Sequence, residues 1–152
     1  MAFRQALQTN ALQYRMLSSI EEVKTFLEDG ADLDDITFVI DIMLVGVDDL
    51  NSIDIPNAPT GKGNLAGQIF VQRYLRARDS AFIRCPVVFL TERIVDQTLR
   101  DEIATIQQPG SAPVTVLQKY SQTDVDTFIT TLKLLDADRR PGPVAAAPGG
   151  AP

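Results

Sequence analysis

Between Ile36 and Leu44 the chain reads Ile-Thr-Phe-Val-Ile-Asp-Ile-Met-Leu, a nearly unbroken apolar run rich in β-branched residues. Such a run marks a strand buried on both faces, which in soluble proteins means a parallel sheet covered by helices on both sides. Asp41 is the single charge inside it. Two more runs of strand length follow, Pro86-Val-Val-Phe-Leu90 and Val114-Thr-Val-Leu117, and stretches of helical spacing separate them. The alternation predicts an α/β fold built on a doubly wound parallel sheet.

The helices are signalled by their caps and apolar stripes. Ser19 with Glu22 forms a capping box ahead of Ile20, Val23, Phe26 and Leu27, and that helix should stop near Gly30. A second helix is expected from Leu65 to Arg78, with Leu65, Ile69, Tyr74 and Leu75 inward and Arg73, Arg76 and Arg78 on a solvated face. A third spans residues 94 to 108 and ends at Pro109-Gly110. In the last, Ser121 and Asp124 cap a stripe of Val125, Phe128, Ile129, Leu132 and Leu135. Upstream, Ala2 to Ala11 reads as a short helix and Leu12 to Leu17 as a strand. Residues 45 to 63, with Pro56, Pro59, Gly61 and Gly63, make a connection much longer than an ordinary βα loop, a length that marks a functional or disordered segment. One domain is expected over residues 1–135, enough chain to bury roughly two-thirds of its unfolded surface. Residues 136–152, rich in Pro, Ala and Gly, read as a disordered tail.

Composition removes many functions. The chain holds 14 Lys+Arg against 20 Asp+Glu, a net charge of −6, which argues against a nucleic-acid partner. It contains no histidine, so His general bases, His-based zinc sites and a phosphohistidine in this chain are excluded. The single cysteine, Cys85, has no partner for an internal disulfide and reads as a small buried hydrophobe. No apolar run has the length of a membrane span and the N-terminus lacks a secretory pattern, so a cytoplasmic location without membrane attachment is expected. Ala58-Pro-Thr-Gly-Lys-Gly63 lacks the spacing of a nucleotide phosphate loop.

Chemistry concentrates at one edge. Asp41, Thr91 and Lys119 fall at the C-terminal ends of three successive predicted strands, where open α/β sheets build their sites. A carboxylate there can accept a phosphoryl group, a hydroxyl can bond one of its oxygens, and an ammonium can offset its charge. On spacing alone, a structural Asp–Lys pair beside a strand-capping Thr would look the same.

The segments Phe38-Val-Ile-Asp41-Ile-Met-Leu44, Pro86-Val-Val-Phe-Leu-Thr91 and Val116-Leu-Gln-Lys119 resemble the three C-terminal motifs of the response-regulator receiver domain, over residues 12 to 135. The resemblance implies a flavodoxin-like, five-stranded parallel sheet in the order 2-1-3-4-5. It makes Asp41 the phosphoacceptor, Thr91 the switch hydroxyl and Lys119 the ion-pairing lysine. It also implies Mg²⁺, held by Asp41 and the backbone carbonyl of Met43. The segment around Thr60-Gly61-Lys-Gly-Asn-Leu-Ala66-Gly67 looks like that of receivers with an enlarged loop after the phosphoacceptor strand.

Three departures accompany the likeness. The first strand of the family and its acidic metal-binding pair have no counterpart, which leaves Asp48 and Asp49 as substitute ligands. The missing strand is the central one of that order, so either the sequence is a piece of a longer one or another segment or chain fills the gap. Val45, Tyr120 and Val116 stand where the family has two prolines and an aromatic switch residue. The expected function is a stand-alone receiver-like domain of a two-component phosphorelay, not an enzyme apart from phosphoryl chemistry at Asp41. Its donor would be a histidine kinase or phosphotransfer protein. Its output would be a face made by residues 94 to 108, 114 to 117 and 121 to 135, offered to a downstream protein. The alternative is a phosphorylation-independent pseudo-receiver acting as a binding or dimerisation module, in which case a homodimer is expected.

Overall fold

A computed structural model describes residues 2–30 and 32–139. Its centre is a three-stranded parallel sheet in which β1 (Phe38–Asp41), β2 (Val87–Thr91) and β3 (Val114–Gln118) lie in chain order. Phe38 pairs with Val87 across β1 and β2, and Val87 with Val114 across β2 and β3. Helices cover both faces, so the α/β, doubly wound expectation holds at that level. The α-helices are α1 (Ala2–Thr9), α2 (Ile20–Glu28), α3 (Ala66–Phe70), α4 (Gln97–Ala104) and α5 (Gln122–Arg139).

Strand alternation divides the core into two layers. Phe38, Ile40, Val87, Phe89, Val114 and Val116 face the layer that holds α2, α3, α4 and the loop after β1. Val88, Leu90 and Leu117 face the other layer, with Phe128, Ile129 and Leu135 of α5 and with Phe3, Ala6 and Leu7 of α1. Phe3 meets Phe128 edge-on, ring centroids 5.2 Å apart. In the first layer, stacked Phe70, Tyr74 and Phe82 lead to Phe38, each step 5.6–5.9 Å, and tie α3 to the site-bearing strand.

Several expectations are corrected. Residues 12 to 17 form no strand: the Leu12 amide donates back to the Leu7 carbonyl of α1, and none of their backbone groups bonds the sheet. Without a neighbouring strand, alternation at Leu12, Tyr14 and Met16 has no ladder to join. The first buried strand shortens from 36–44 to Phe38–Asp41, because after Asp41 the chain leaves the sheet for the loop. The third helix shortens to Gln97–Ala104, with Asp96 as its N-cap accepting from the Leu99 amide at 2.9 Å. Helix α5 runs through Asp136 to Arg139, four residues beyond the expected boundary, because Arg139 donates to the Ile36 carbonyl at 2.7 Å and to the Thr37 hydroxyl. The rest of the expected tail, residues 140–152, lies outside the described residues.

The predicted helix over 65–78 breaks in two. α3 gives way at Val71–Leu75 to a π turn, in which the Arg76 amide donates to the Val71 carbonyl at 2.8 Å. The extra residue per turn rotates Arg76 out of the solvated face and into the interior, where it is 1% exposed. Its guanidinium donates to the carbonyls of Phe82, Cys85 and Ala112 at 3.0, 2.8 and 3.2 Å. Arg73 and Arg78 remain exposed, as expected.

Candidate functional site

The C-terminal edge of the sheet carries the site, and the parallel register sets its geometry. Asp41 pairs with Leu90, so Thr91 lies one residue beyond it. Thr91 pairs with Gln118, and Lys119 follows one residue further, its amide donating to the Thr91 carbonyl at 3.0 Å. The stagger brings the Lys119 ammonium onto the Asp41 carboxylate: Nζ donates to Oδ2. Oδ1 accepts from the Met43 amide at 3.1 Å, so both carboxylate oxygens are engaged. The pair is partly buried, with 31% of the Asp41 side chain and 23% of the Lys119 side chain exposed.

Thr91 stands at the same edge but serves a different partner. Alternation places its side chain on the Phe89 side of β2. It is fully buried, and its hydroxyl accepts from the Arg93 amide at 3.0 Å in a tight turn. The structure therefore joins Asp41 to Lys119 and sets Thr91 beside them without a hydrogen bond to either charged group.

The strand end is held in place by two glycines. At Gly67 a methyl group would sit 1.9 Å from the Asp41 carbonyl oxygen, and at Gly63, whose φ is +91°, 2.2 Å from the Leu44 carbonyl oxygen. Only residues without a side chain allow this contact, across which Leu44 donates to Gly63 at 2.9 Å and Gly67 donates to Ile42 at 3.1 Å. The long connection is thus a packed element. Leu50, Ile53 and Ile55 are buried in the first core layer, and the Thr60 hydroxyl donates to the Asp48 carbonyl at 2.6 Å. Sequence reasoning missed these residues; the signal was the recurrence of Leu50, Ile53 and Ile55 inside an otherwise polar loop.

Comparison of this chain with protein-family models, curated proteins and solved structures found no match.

Two of the expected magnesium ligands, Asp41 and Asp49, accept hydrogen bonds from within the chain. The Asp49 carboxylate accepts from the Asn51 amide at 3.0 Å, and Asp48 is exposed. Among the described residues no group of three or more His, Cys, Asp or Glu is placed to share a cation. Magnesium prefers six oxygen ligands, several supplied by water or phosphate. A Mg²⁺ ion on Asp41, the Met43 carbonyl, Asp48 and Asp49 therefore rests on the resemblance alone. No helix among the described residues is long and apolar enough to cross a membrane.

Three apolar residues that follow the site residues in sequence are exposed: Val45, four after Asp41, at 90%, Ile94, three after Thr91, at 75%, and Tyr120, next to Lys119, at 63%. A cavity of about 520 Å³ lined by Arg73, Tyr74, Arg78 and Phe82 lies beside the π turn, and a second of about 410 Å³ is lined by Phe3, Glu92, Lys119 and Tyr120. Of these two, the second adjoins Lys119.

Proposed function

We propose that this chain is a receiver-like signalling domain of a two-component phosphorelay, with a flavodoxin-like arrangement of its strands and a cytoplasmic location. Asp41 accepts a phosphoryl group from the phosphohistidine of a kinase or phosphotransfer protein. The observation that supports this reading is the Asp41–Lys119 ion pair at the C-terminal edge of a parallel sheet, next to Thr91. In the transfer, an Asp41 carboxylate oxygen attacks phosphorus, the bond from phosphorus to the donor's imidazole nitrogen breaks, and that nitrogen leaves with the electron pair. The product is an aspartyl phosphate. Lys119 is already positioned to offset charge on the phosphoryl oxygens, a contribution that preorganised cations make without reorientation. Rotation of the Thr91 hydroxyl from the Arg93 amide toward the phosphoryl group would then free the turn that precedes Ile94, whose exposed side chain offers a contact to a downstream protein.

A second reading has its own support. Both Asp41 oxygens are already satisfied and no carboxylate pair stands beside it, which suits a pseudo-receiver that only binds other proteins. Intact-mass measurement separates the two. Incubation with acetyl phosphate, with and without Mg²⁺, should add one phosphoryl group to the wild-type chain and none to Asp41→Asn. No mass gain under either condition would sink the phosphoacceptor reading in favour of the binding module.

A further inference from the structure

At the edge where β2 begins, opposite the one that carries Asp41, the chain passes from the π turn into the strand around the cavity of about 520 Å³. On an α-helix, Arg73 and Arg78 would point about 140° apart. The break at Val71–Leu75 brings both to this one cavity. Both residues are exposed, and among the described residues neither has an ion pair or a hydrogen bond. Asp79 lines the same cavity, while Ala77, Ala81 and Phe82 give it an apolar wall.

A third guanidinium is bonded to that wall. Arg76, 1% exposed, donates to the Phe82 carbonyl at 3.0 Å, pairs with no carboxylate among the described residues, and has a buried Nε without an acceptor. A buried cation without a counter-ion attracts an anion more strongly than an exposed one, because little water screens it. The charge is concentrated here against the trend of the chain: net charge is −6, yet residues 73–84 hold four arginines against Asp79 alone. The wall is also fixed in advance, which lowers the cost of binding. Gln108 donates to the Arg76 carbonyl at 2.5 Å, the Ser80 hydroxyl accepts from the Phe82 amide at 3.1 Å, and Tyr74 stacks on both Phe70 and Phe82.

We propose that this cavity binds a small phosphomonoester, its phosphate held by Arg73 and Arg78 and its apolar body set against Ala77, Ala81 and Phe82. Guanidinium forks match phosphate oxygens in pairs, and three guanidiniums against one carboxylate suit a head of two negative charges better than a head of one. The volume falls in the range of small-ligand sites, about 300–1,000 Å³. The site is separate from Asp41 and does not depend on its phosphorylation.

Titration of the full chain with phenyl phosphate, followed by the amide NMR signals of Ala77 to Phe82, is expected to give saturable shifts there. Asp41→Asn should bind the probe unchanged. Arg73→Gln and Arg78→Gln should each weaken binding by about tenfold with an unchanged thermal melt, since neither side chain bonds within the described chain. Ala81→Trp, which fills the apolar wall and keeps both arginines, should weaken it as much and carries the test if an arginine variant unfolds. Benzoate, with a single charge on a similar body, should bind about tenfold more weakly, and inorganic phosphate likewise for want of a body. Shifts that never saturate, an affinity unchanged by all three cavity variants, or equal affinity for benzoate or inorganic phosphate would each overturn the proposal.

Discussion

Lys119, just past the end of β3, places its ammonium on the Asp41 carboxylate at the end of β1, across the intervening strand and 78 positions along the chain. Partial burial sets its worth between that of exposed pairs, about 0.2–1 kcal/mol, and buried ones, whose breaking costs about 3–5 kcal/mol. Lys119→Ala should therefore destabilise by about 1–2 kcal/mol in urea titration, and Asp41→Asn by a similar amount. The double variant should lose less than the sum. Additivity in this cycle would mean that the two groups do not interact in solution.

Gly67→Ala should cost about 3 kcal/mol or more, since the added methyl meets a backbone oxygen that cannot move without shifting the site strand. Gly110 supplies the comparison. Unlike Gly67 it has a positive φ, +77°, but nothing lies within 4 Å of an added carbon, so Gly110→Ala should cost only about 1–2 kcal/mol. Equal losses for the two variants would contradict the close approach at Asp41.

Arg76 donates to four carbonyls, those of Leu75, Phe82, Cys85 and Ala112, and its burial pulls the guanidinium below its ordinary pKa. Arg76→Met should cost about 3–5 kcal/mol, because the acceptors are left without donors. Arg76→Lys should recover little, since one ammonium cannot span the same fork of acceptors. Denaturant midpoints of the three proteins would decide the order, and full rescue by lysine would refute the role given to the fork.

Burial pushes the Cys85 thiol above its ordinary value, partly offset by Arg139 and Arg76, and its Sγ donates to the Leu33 carbonyl at 3.3 Å. The neutral form is the native one. A thiol with a raised folded pKa contributes stability that is complete below its unfolded value of about 8.5 and is lost as pH rises through the folded value. Thermal stability should thus fall above pH 9 less steeply in Cys85→Ala than in the wild type. Iodoacetamide at pH 8 should label the thiol only after unfolding.

At the start of α5, Ser121 accepts from the Asp124 amide at 3.2 Å while the Asp124 carboxylate accepts from the amides of Tyr120 and Ser121 at 2.8 Å each. Those backbone donors hold the Asp124 carboxyl below its usual range. A depressed carboxylate stabilises above its unfolded pKa and loses that contribution as pH falls through the folded value. Asp124→Asn should therefore flatten the acid limb of the stability curve below about pH 4. Ser121→Ala should cost about 1 kcal/mol at neutral pH by thermal melt.

Periodicity in the chain was enough to determine the three parallel strands, the caps at Ser19 and Ser121, and the edge on which Asp41, Thr91 and Lys119 gather. These follow from local rules: β-branched apolar runs bury on both faces, and polar residues at the ends of parallel strands share one rim. The ion pair was legible as the need of a charged residue in an apolar run for a partner, and Lys119 as the ammonium at the same edge.

Tertiary structure alone decided the rest. Leu12 to Leu17 has the alternation of a strand, but strand formation needs a neighbour to receive its hydrogen bonds, and the fold supplies none there. Arg76 carries the sequence signature of a surface residue and was drawn inside by a π turn whose extra residue no helical periodicity encodes. Gly63 read as a loop residue and Gly67 as one position of a helix, and neither reading contains the close approach of the Leu44 and Asp41 carbonyls. Each outcome depends on what lies across space from the residue, and contacts between distant segments are set by packing of the whole chain rather than by the residues on either side.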